Sequence, residues 1–162
     1  MKKAKKGSML KYYLLSSIVF LSDQFVKIQA INLVRDEQFI KINSYLYLVH
    51  FKNEGAAFSF LSDAGGWQRY FLSIVAAIAS VFIIFMIKKN KENIFLALGL
   101  SLILGGAVGN LYDRLSLGHV TDFLYFHFND YYWPAFNIAD AAITIGAAII
   151  IYDSIFKKNK AV

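Results

Sequence analysis

The chain has 162 residues, of which 57% are hydrophobic and 17% aromatic, and it carries a formal net charge of +6 and no cysteine. Its mean hydropathy of +0.47 is too high for an ordinary soluble domain and predicts an integral membrane protein. The lack of cysteine excludes disulfides, a thiolate nucleophile and a cysteine metal site. The basic residues lie in short clusters beside apolar runs, which indicates membrane topology and no nucleic-acid partner.

The N-terminal part of the chain predicts an uncleaved membrane anchor. Residues 1–8 are interpreted as an extension, because Met9 is a plausible start. The apolar segment at about residues 12–30 lacks the small-residue cleavage site that ends a secretory signal. Asp23 and Lys27 lie one helical turn apart on this segment, so their charges can offset each other. A neutralising pair and a direct role in a site are both compatible with this spacing.

A more polar stretch, residues 31–68, predicts an outer loop with a small sheet. Its segment FIKINSYLYLVHF alternates apolar and polar side chains and is rich in β-branched and aromatic residues, as in a half-buried strand. Asn53 and Gly55 follow this segment and predict a tight turn. Turn chemistry alone explains these two residues as well as a functional role does.

Three further apolar runs predict spans at about residues 70–87, 94–112 and 137–156, each long enough to cross most of a ~30 Å hydrocarbon core. Small residues such as Gly106 near the end of the third span favour close helix packing. Residues 115–136 are interpreted as a second outer loop, whose many aromatic residues suit the lipid headgroup level.

The distribution of lysine predicts the orientation of the four spans. Lysines concentrate in the N-terminal segment, in the connection at residues 88–93 and in the tail at residues 157–162, so both termini are expected in the cytoplasm. The predicted fold class is therefore an all-α membrane protein with four transmembrane helices and a small extracytoplasmic β element. Residues 9–156 are expected to form one domain.

Acidic and amide side chains collect at the outer ends of these spans, and Asp122 and Asp140 are the best candidates for chemistry. Two facing carboxylates cannot both ionise easily, so one keeps a proton while the other acts as a base. Such a pair can activate water for peptide hydrolysis without a metal or a covalent intermediate. Ionisable groups at this depth of a membrane indicate a functional site.

The neighbouring polar residues have structural explanations on physical grounds. Asn137 lies three residues before Asp140 and can cap the fourth helix, a role that is about as well supported as one in orienting substrate. Asp113 and Arg114 close the third span, where a structural clamp is favoured. Trp133 suits an interfacial anchor better than a site residue.

Other kinds of function fit the sequence less well. The histidines show no ligand spacing of a metal peptidase, and no serine nucleophile motif is present. A carrier or channel is the main alternative, because Asp23, Asp122 and Asp140 could line a proton or cation path. The sequence shows no internal repeat, and its charges stop near one face of the membrane, which disfavours that alternative.

Five blocks, taken in order, resemble the signature blocks of bacterial lipoprotein signal peptidases, the type II signal peptidases. They are SDQFVK (22–27), NEGAAFSF (53–60), GGAVGNLYDR (105–114), VTDF (120–123) and PAFNIAD (134–140). Members of that family are inner-membrane aspartyl peptidases. They remove the signal peptide of a prolipoprotein on the N-terminal side of its diacylglyceryl-modified cysteine.

The resemblance implies that Asp122 and Asp140 are the catalytic pair and that no cofactor or metal takes part. The positions that it implies as site-supporting or substrate-binding are Asp23, Lys27, Asn53, Gly55, Gly106, Asn110, Asp113, Arg114, Asn137 and Ala139. It further implies diacylglyceryl-prolipoprotein substrates, contact with membrane lipid, a monomeric enzyme, and a site at the outer face of the inner membrane. An outer β-cradle and a mobile loop over the site would fall within residues 31–68.

Overall fold

The computed structural model describes residues 8–35, 38–55 and 65–158. The elements are, in chain order, α1 (Leu10–Leu33), β1 (Ile40–Asn43), β2 (Leu46–Asn53), α2 (Trp67–Lys89), α3 (Ile94–Ser116), β3 (Val120–Phe128), β4 (Tyr131–Tyr132) and α4 (Ile138–Lys158). The predicted fold class is confirmed: four helices are long and apolar enough to cross a membrane, and a small antiparallel sheet accompanies them.

The helix α3 is the centre of the bundle and packs against the other three helices. Apolar side chains of α1, α2 and α3, among them Tyr12, Ile87 and Leu104, form the main core cluster. Small residues on α3 allow close approach to its neighbours, since a Cβ atom at Gly105 would lie only 2.6 Å from Ser16 O of α1. The most enclosed helix is therefore also the one that carries the long glycine-rich block.

The helices are longer than the spans that the sequence predicts. The largest difference is at the end of α3, which continues to Ser116 and so includes Asp113 and Arg114. With 23 residues, α3 is roughly 34 Å long at 1.5 Å per residue. Hydropathy marks where the apolar run stops, whereas a helix continues as long as its polar side chains find partners, which both of these residues do.

The sheet has the order β1-β2-β3-β4 and is antiparallel throughout. The predicted strands within residues 31–68 are present as β1 and β2. The interpretation of residues 115–136 as a loop is wrong, because this region contributes β3 and β4. Its aromatic residues suit the headgroup level, but several of them lie on β3, which pairs with β2. Asp122 therefore lies on a strand, opposite Phe51.

The turn predicted at Asn53 and Gly55 is present. Asn53 ends β2, and its Oδ1 accepts a hydrogen bond from the backbone N–H of Gly55 at 3.0 Å, which is an Asx turn. The rest of the NEGAAFSF block, residues 56–60, lies outside the described residues, as do residues 36–37 and 61–64 of the stretch 31–68 in which a mobile loop is expected.

Candidate active site

An ion-paired group forms one half of the polar cluster, and Lys27 is its centre. Lys27 Nζ lies 2.7 Å from Asp23 Oδ2 and 2.9 Å from Asp113 Oδ2. All three side chains are almost completely buried. Lys27 therefore joins α1 to α3, and one cation offsets two carboxylates, which the spacing of Asp23 and Lys27 did not reveal.

Asp113 has further partners that connect this ionic group to β3. Its Oδ2 accepts the backbone N–H of Thr121 at 3.1 Å, one residue before Asp122. Its Oδ1 accepts a hydrogen bond from Gln24 Nε2 at 2.8 Å. Sequence reasoning did not identify Gln24, although it lies between Asp23 and Lys27 and shares their part of the helix.

Two asparagines hold the carboxylate of Asp122. Asn53 Nδ2 donates to Asp122 Oδ2 at 2.9 Å, and Asn137 Nδ2 donates to Asp122 Oδ1 at 2.7 Å. Asp122 is 3% exposed, so these amides replace the water that the group loses on burial. Each oxygen of the carboxylate thus has an amide donor.

Asp140 lies in the first turn of α4 and is held in a similar way. Asn110 Nδ2 donates to Asp140 Oδ1 at 2.8 Å. The backbone N–H of Asp140 donates to Asn137 Oδ1 at 2.9 Å, which confirms Asn137 as the N-cap of the helix. Asn137 therefore contacts both aspartates, one through its amide nitrogen and the other through its oxygen.

All three asparagines follow one pattern. In each, an N–H group fixes Oδ1, and Nδ2 then faces Asp122 or Asp140. The donors to Oδ1 are the Gly55 N–H for Asn53, Lys27 Nζ for Asn110 and the Asp140 N–H for Asn137. Lys27 thus orients the amide that reaches Asp140, although it does not contact the aspartate itself.

The surroundings of Asp122 favour its neutral form. Burial, and then the nearby charge of Asp140, raise the pKa of Asp122 to about 7, while the hydrogen bonds from Asn53 and Asn137 oppose the rise. Two carboxyl groups in one water-poor site are expected to share a proton near neutral pH. This arrangement can supply an acid and a base at the same time.

Arg114 connects the end of α3 to the turn after β2. Its Nη2 donates to Gly55 O at 2.8 Å, and Nη1 donates to Asn110 O at 3.3 Å. The side chain is 8% exposed. In the structure Arg114 fixes the turn that holds Asn53, which agrees with the predicted clamp.

Gly106 and Ala139 provide the close contact between α3 and α4 beside the site. A Cβ atom at Gly106 would overlap Ala139 O. The backbone N–H of Ala139 donates to Asp23 Oδ1 at 2.9 Å, so the start of α4 is tied to α1 as well. Both positions set the distance between helices and offer no reactive group.

A cavity of about 390 Å³ opens beside Asp140. It is lined mainly by the segment from Trp133 to Phe136 and by Thr144 and Ile145 of α4, with Asn53 at its edge. Most of these groups are apolar, so the cavity suits an apolar ligand that meets a polar group at one end. Trp133, expected as an interfacial anchor, lines this cavity.

The structure thus brings the twelve residues singled out in the sequence into one connected cluster, which draws on α1, α3, the start of α4 and the sheet with its following turn. The cluster also includes two side chains that the sequence did not indicate, Gln24 and Arg69. Arg69 bonds to the end of α3, 45 residues further along the chain, and no local pattern signals such a contact.

Comparisons with known proteins agree with this architecture. The family profile described as signal peptidase (SPase) II matches residues 15–156. Lipoprotein signal peptidase of Teredinibacter turnerae is 49% identical over 148 residues, covering 91% of this chain and 88% of the relative. That of Cellvibrio japonicus is 50% identical over 155 residues, covering 92% and 88%.

Two solved structures, both described as bacterial membrane enzymes, have the same fold. One has a TM-score of 0.87 at 28% identity, with 98% of this chain and 95% of the other covered. The second has a TM-score of 0.79 at 30% identity, with 93% and 96% covered. With its four apolar helices, the protein is therefore a multi-pass membrane enzyme. The chain belongs to the signal peptidase II family, and its activity is that of a peptidase.

Proposed function

We propose that this peptidase removes the signal peptides of prolipoproteins, cutting on the N-terminal side of a diacylglyceryl-modified cysteine, with Asp122 and Asp140 as its catalytic residues. The relatives named lipoprotein signal peptidase support the substrate class. The observation that carries the mechanism is the set of three asparagines, each of which directs an amide N–H group at one of the two carboxylates.

In this proposal Asp122 holds the shared proton and Asp140 carries the charge. Burial beside Asp140 raises the pKa of Asp122 to about 7, so Asp122 is protonated below that pH. Asp140 lies in the first turn of α4, where the positive end of the helix dipole favours an anion. Lys27, behind Asn110, adds a positive charge on the same side.

The reaction then needs only water and the two carboxyl groups. Asp140 takes a proton from water as the water oxygen attacks the scissile carbonyl carbon, and Asp122 gives its proton to the carbonyl oxygen. The resulting diol collapses when Asp122 takes back a hydroxyl proton and Asp140 donates its proton to the leaving nitrogen. The C–N bond breaks, and both groups return to their starting states.

The apolar cavity beside Asp140 accounts for a lipid-linked substrate. Its walls, including Trp133, Phe136 and Ile145, are apolar, so apolar groups next to the scissile bond gain by leaving water. A diacylglyceryl group can keep its chains in hydrocarbon while the peptide bond on the N-terminal side of the cysteine reaches the carboxyl groups. This placement supports the proposed cut position.

The site is proposed to face the outside of the bacterial inner membrane. The helix α3 begins just after the lysine-rich connection at residues 88–93 and ends at the polar cluster, roughly one bilayer thickness away. Because lysine-rich connections stay in the cytoplasm, both termini are assigned there and the cluster lies opposite.

Residues 9–156 form the peptidase domain, residues 1–8 are an extension and residues 157–162 a cytoplasmic tail. Since one chain supplies the whole cluster, a monomer suffices.

The experiment is cleavage of a diacylglyceryl-modified prolipoprotein by the purified protein in detergent. Asp122→Asn and Asp140→Asn are each expected to reduce kcat by at least about a thousandfold, because either change removes a proton carrier. Asp130→Asn is the matched control, since Asp130 is exposed in the β3–β4 turn and away from the cluster. Its activity should equal that of the unchanged protein.

Two further samples test the rest of the proposal. Activity should persist in the presence of EDTA, and a substrate whose cysteine lacks the diacylglyceryl group should be cleaved poorly. Substantial turnover by a well-folded Asp122→Asn or Asp140→Asn protein would contradict the assignment of the pair. Equal cleavage of the unmodified substrate would contradict the proposed role of the lipid.

A further inference from the structure

Arg69 connects α2 to the end of α3. Its Nε donates to Arg114 O at 2.7 Å, and its Nη2 donates to Leu115 O at 3.1 Å. The last carbonyl groups of a helix have no partner within the helix. A guanidinium can satisfy two of them at once because its donors form a fixed, planar fork. Arg69 therefore caps α3 from the neighbouring helix.

The turn after α3 closes over the same guanidinium. Gly118 has φ +89°, a backbone conformation that favours glycine. A Cβ atom at this position would lie 3.1 Å from Arg69 Nη1. The turn from α3 into β3 therefore depends on the absence of a side chain at Gly118, which lets the backbone lie against Arg69.

The end of α3 holds Asp122 through two separate routes. In the first, the Arg114 side chain bonds Gly55 O, and Gly55 N–H orients Asn53, which donates to Asp122. In the second, Asp113 accepts the N–H of Thr121, the residue before Asp122. Both routes begin at consecutive residues of the last turns of α3, and Arg69 bonds that same stretch.

We infer that Arg69 is a positioning residue for peptide cleavage: by fixing the C-terminal end of α3, it fixes the carboxyl group of Asp122. The inference rests on the proposed function. Arg69 is thus a hydrogen-bonded link between α2 and the stretch of α3 that holds Asp122. Misplacement of a reacting group by about 1 Å can lower a rate by roughly a hundredfold, which makes a remote contact of this kind important.

The first test is Arg69→Ala with the diacylglyceryl-modified substrate. We expect kcat to fall by roughly 10- to 100-fold while KM stays within about twofold, since Arg69 lies outside the cavity beside Asp140. Arg35→Ala removes the same charge at an exposed position after the end of α1, where the described residues show no hydrogen bond or ion pair of its side chain with the cluster, and should leave both constants unchanged. Unfolded protein would lower the measured rate without any change in the active site. The value of kcat is therefore calculated per mole of correctly folded, monodisperse protein.

Chemical rescue separates positioning from a general loss of stability. Arg69 lines a cavity of about 580 Å³ with Glu54, Trp67 and His119, so a small guanidinium can take the place of the missing side chain. Ethylguanidinium should raise the kcat of Arg69→Ala several-fold without affecting the unchanged protein. Ethylammonium, a cation without the planar fork, should give little rescue.

Gly118→Ala tests the same contact with the arginine still present. Its Cβ crowds Nη1 and strains the backbone, so kcat should again fall while KM is nearly constant. The Gly118→Ala variant also provides a test of this contact if Arg69→Ala does not fold. Wild-type kcat in both variants would overturn the role of Arg69, as would a loss confined to KM. Failure of the unchanged protein to cleave the substrate would instead contradict the proposed function.

Discussion

The polar cluster has two halves that differ in how buried charge is stabilised. Around Lys27, opposite charges meet directly: one ammonium group lies within 2.9 Å of the carboxylates of Asp23 and Asp113. Around Asp122 and Asp140 the described contacts are amides, which come from Asn53, Asn110 and Asn137. The first half is made of ion pairs, and the second of neutral donors.

This difference distinguishes the residues that hold the helices and the sheet together from the residues that can exchange protons. In the ionic half the carboxylates contact the buried ammonium group directly, so removing that cation leaves buried charge without its partner. A buried aspartate that is held by amides can exist in both forms, and the pKa of Asp122 at about 7 shows this freedom. The ionic half therefore holds α1, α3 and β3 together, and the amide half can exchange protons.

The largest effect on stability is expected from Lys27→Met, which removes the cation of the ionic half. Two buried carboxylates would lose their cation, and breaking a buried pair from one side costs about 3–5 kcal/mol. We expect a corresponding fall in the free energy of unfolding, measured by thermal or denaturant unfolding in detergent. Activity should fall further than the amount of folded protein, because Lys27 also orients the Asn110 amide that donates to Asp140.

Lys11→Met is the control for this change, since Lys11 is exposed near the opposite end of α1. It should have little effect on unfolding. If Lys27→Met were as stable as the unchanged protein but inactive, Lys27 would belong to the chemical half, and the division between the two halves would be wrong.

The next effect concerns Asn137, which has both a structural and a chemical contact. Asn137→Ser should keep the N-cap of α4, because serine caps helices about as well as asparagine. It removes the amide that donates to Asp122 Oδ1. We expect kcat to fall by roughly a hundredfold, while the free energy of unfolding falls by about 1–3 kcal/mol because buried acceptors lose the amide donor.

Asn137→Ala is the comparison, because alanine loses the cap as well. It should add about 1 kcal/mol of destabilisation to the same loss of kcat. If Asn137→Ser retained full activity, the cap alone would explain the asparagine, and the amide would have no role in the reaction.

The smallest expected effect is a shift in pH dependence. The unchanged protein should lose activity as the pH rises through about 7, because Asp122 then loses the proton that it donates. The hydrogen bond from Asn53 stabilises the ionised form and so lowers the pKa of Asp122. Asn53→Ala should therefore move this loss of activity to higher pH, by roughly one pH unit.

Asn43→Ala is a close control for Asn53→Ala. Asn43 Oδ1 accepts the N–H of Tyr45 at 2.8 Å, an Asx turn like that of Asn53, but without a contact to an aspartate. Its pH profile should match that of the unchanged protein. A shift to lower pH in Asn53→Ala would contradict the assigned effect of the amide on Asp122.

Much of this architecture could be predicted from the sequence because it depends on local patterns. Long apolar runs predicted the four helices, and the alternation around Tyr47 predicted strands of the sheet. The N-cap at Asn137 and the turn at Asn53 followed from residue type and position. Asp122 and Asp140 stood out because ionisable groups near the end of an apolar run are rare, whereas most of the supporting positions followed from the resemblance of the five sequence blocks.

What could not be predicted depends on contacts between distant segments. Residues 120–128 form a strand because β2 pairs with them, whereas their aromatic content alone fits an interfacial loop equally well. The second carboxylate of Lys27, Asp113, lies 86 positions away on another helix. The cap that Arg69 places on α3 also needs two helices to be packed before it exists.

The most direct test of the account is an infrared measurement of protonated carboxyl groups in the purified protein as the pH rises through 7. We expect a protonated carboxyl band at pH 6 that disappears as the pH rises above about 7, and that is absent over this pH range from Asp122→Asn. The Asp130→Asn control should keep the band. A band that persists in Asp122→Asn, or no protonated carboxyl at pH 6, would contradict the claim that Asp122 holds the shared proton.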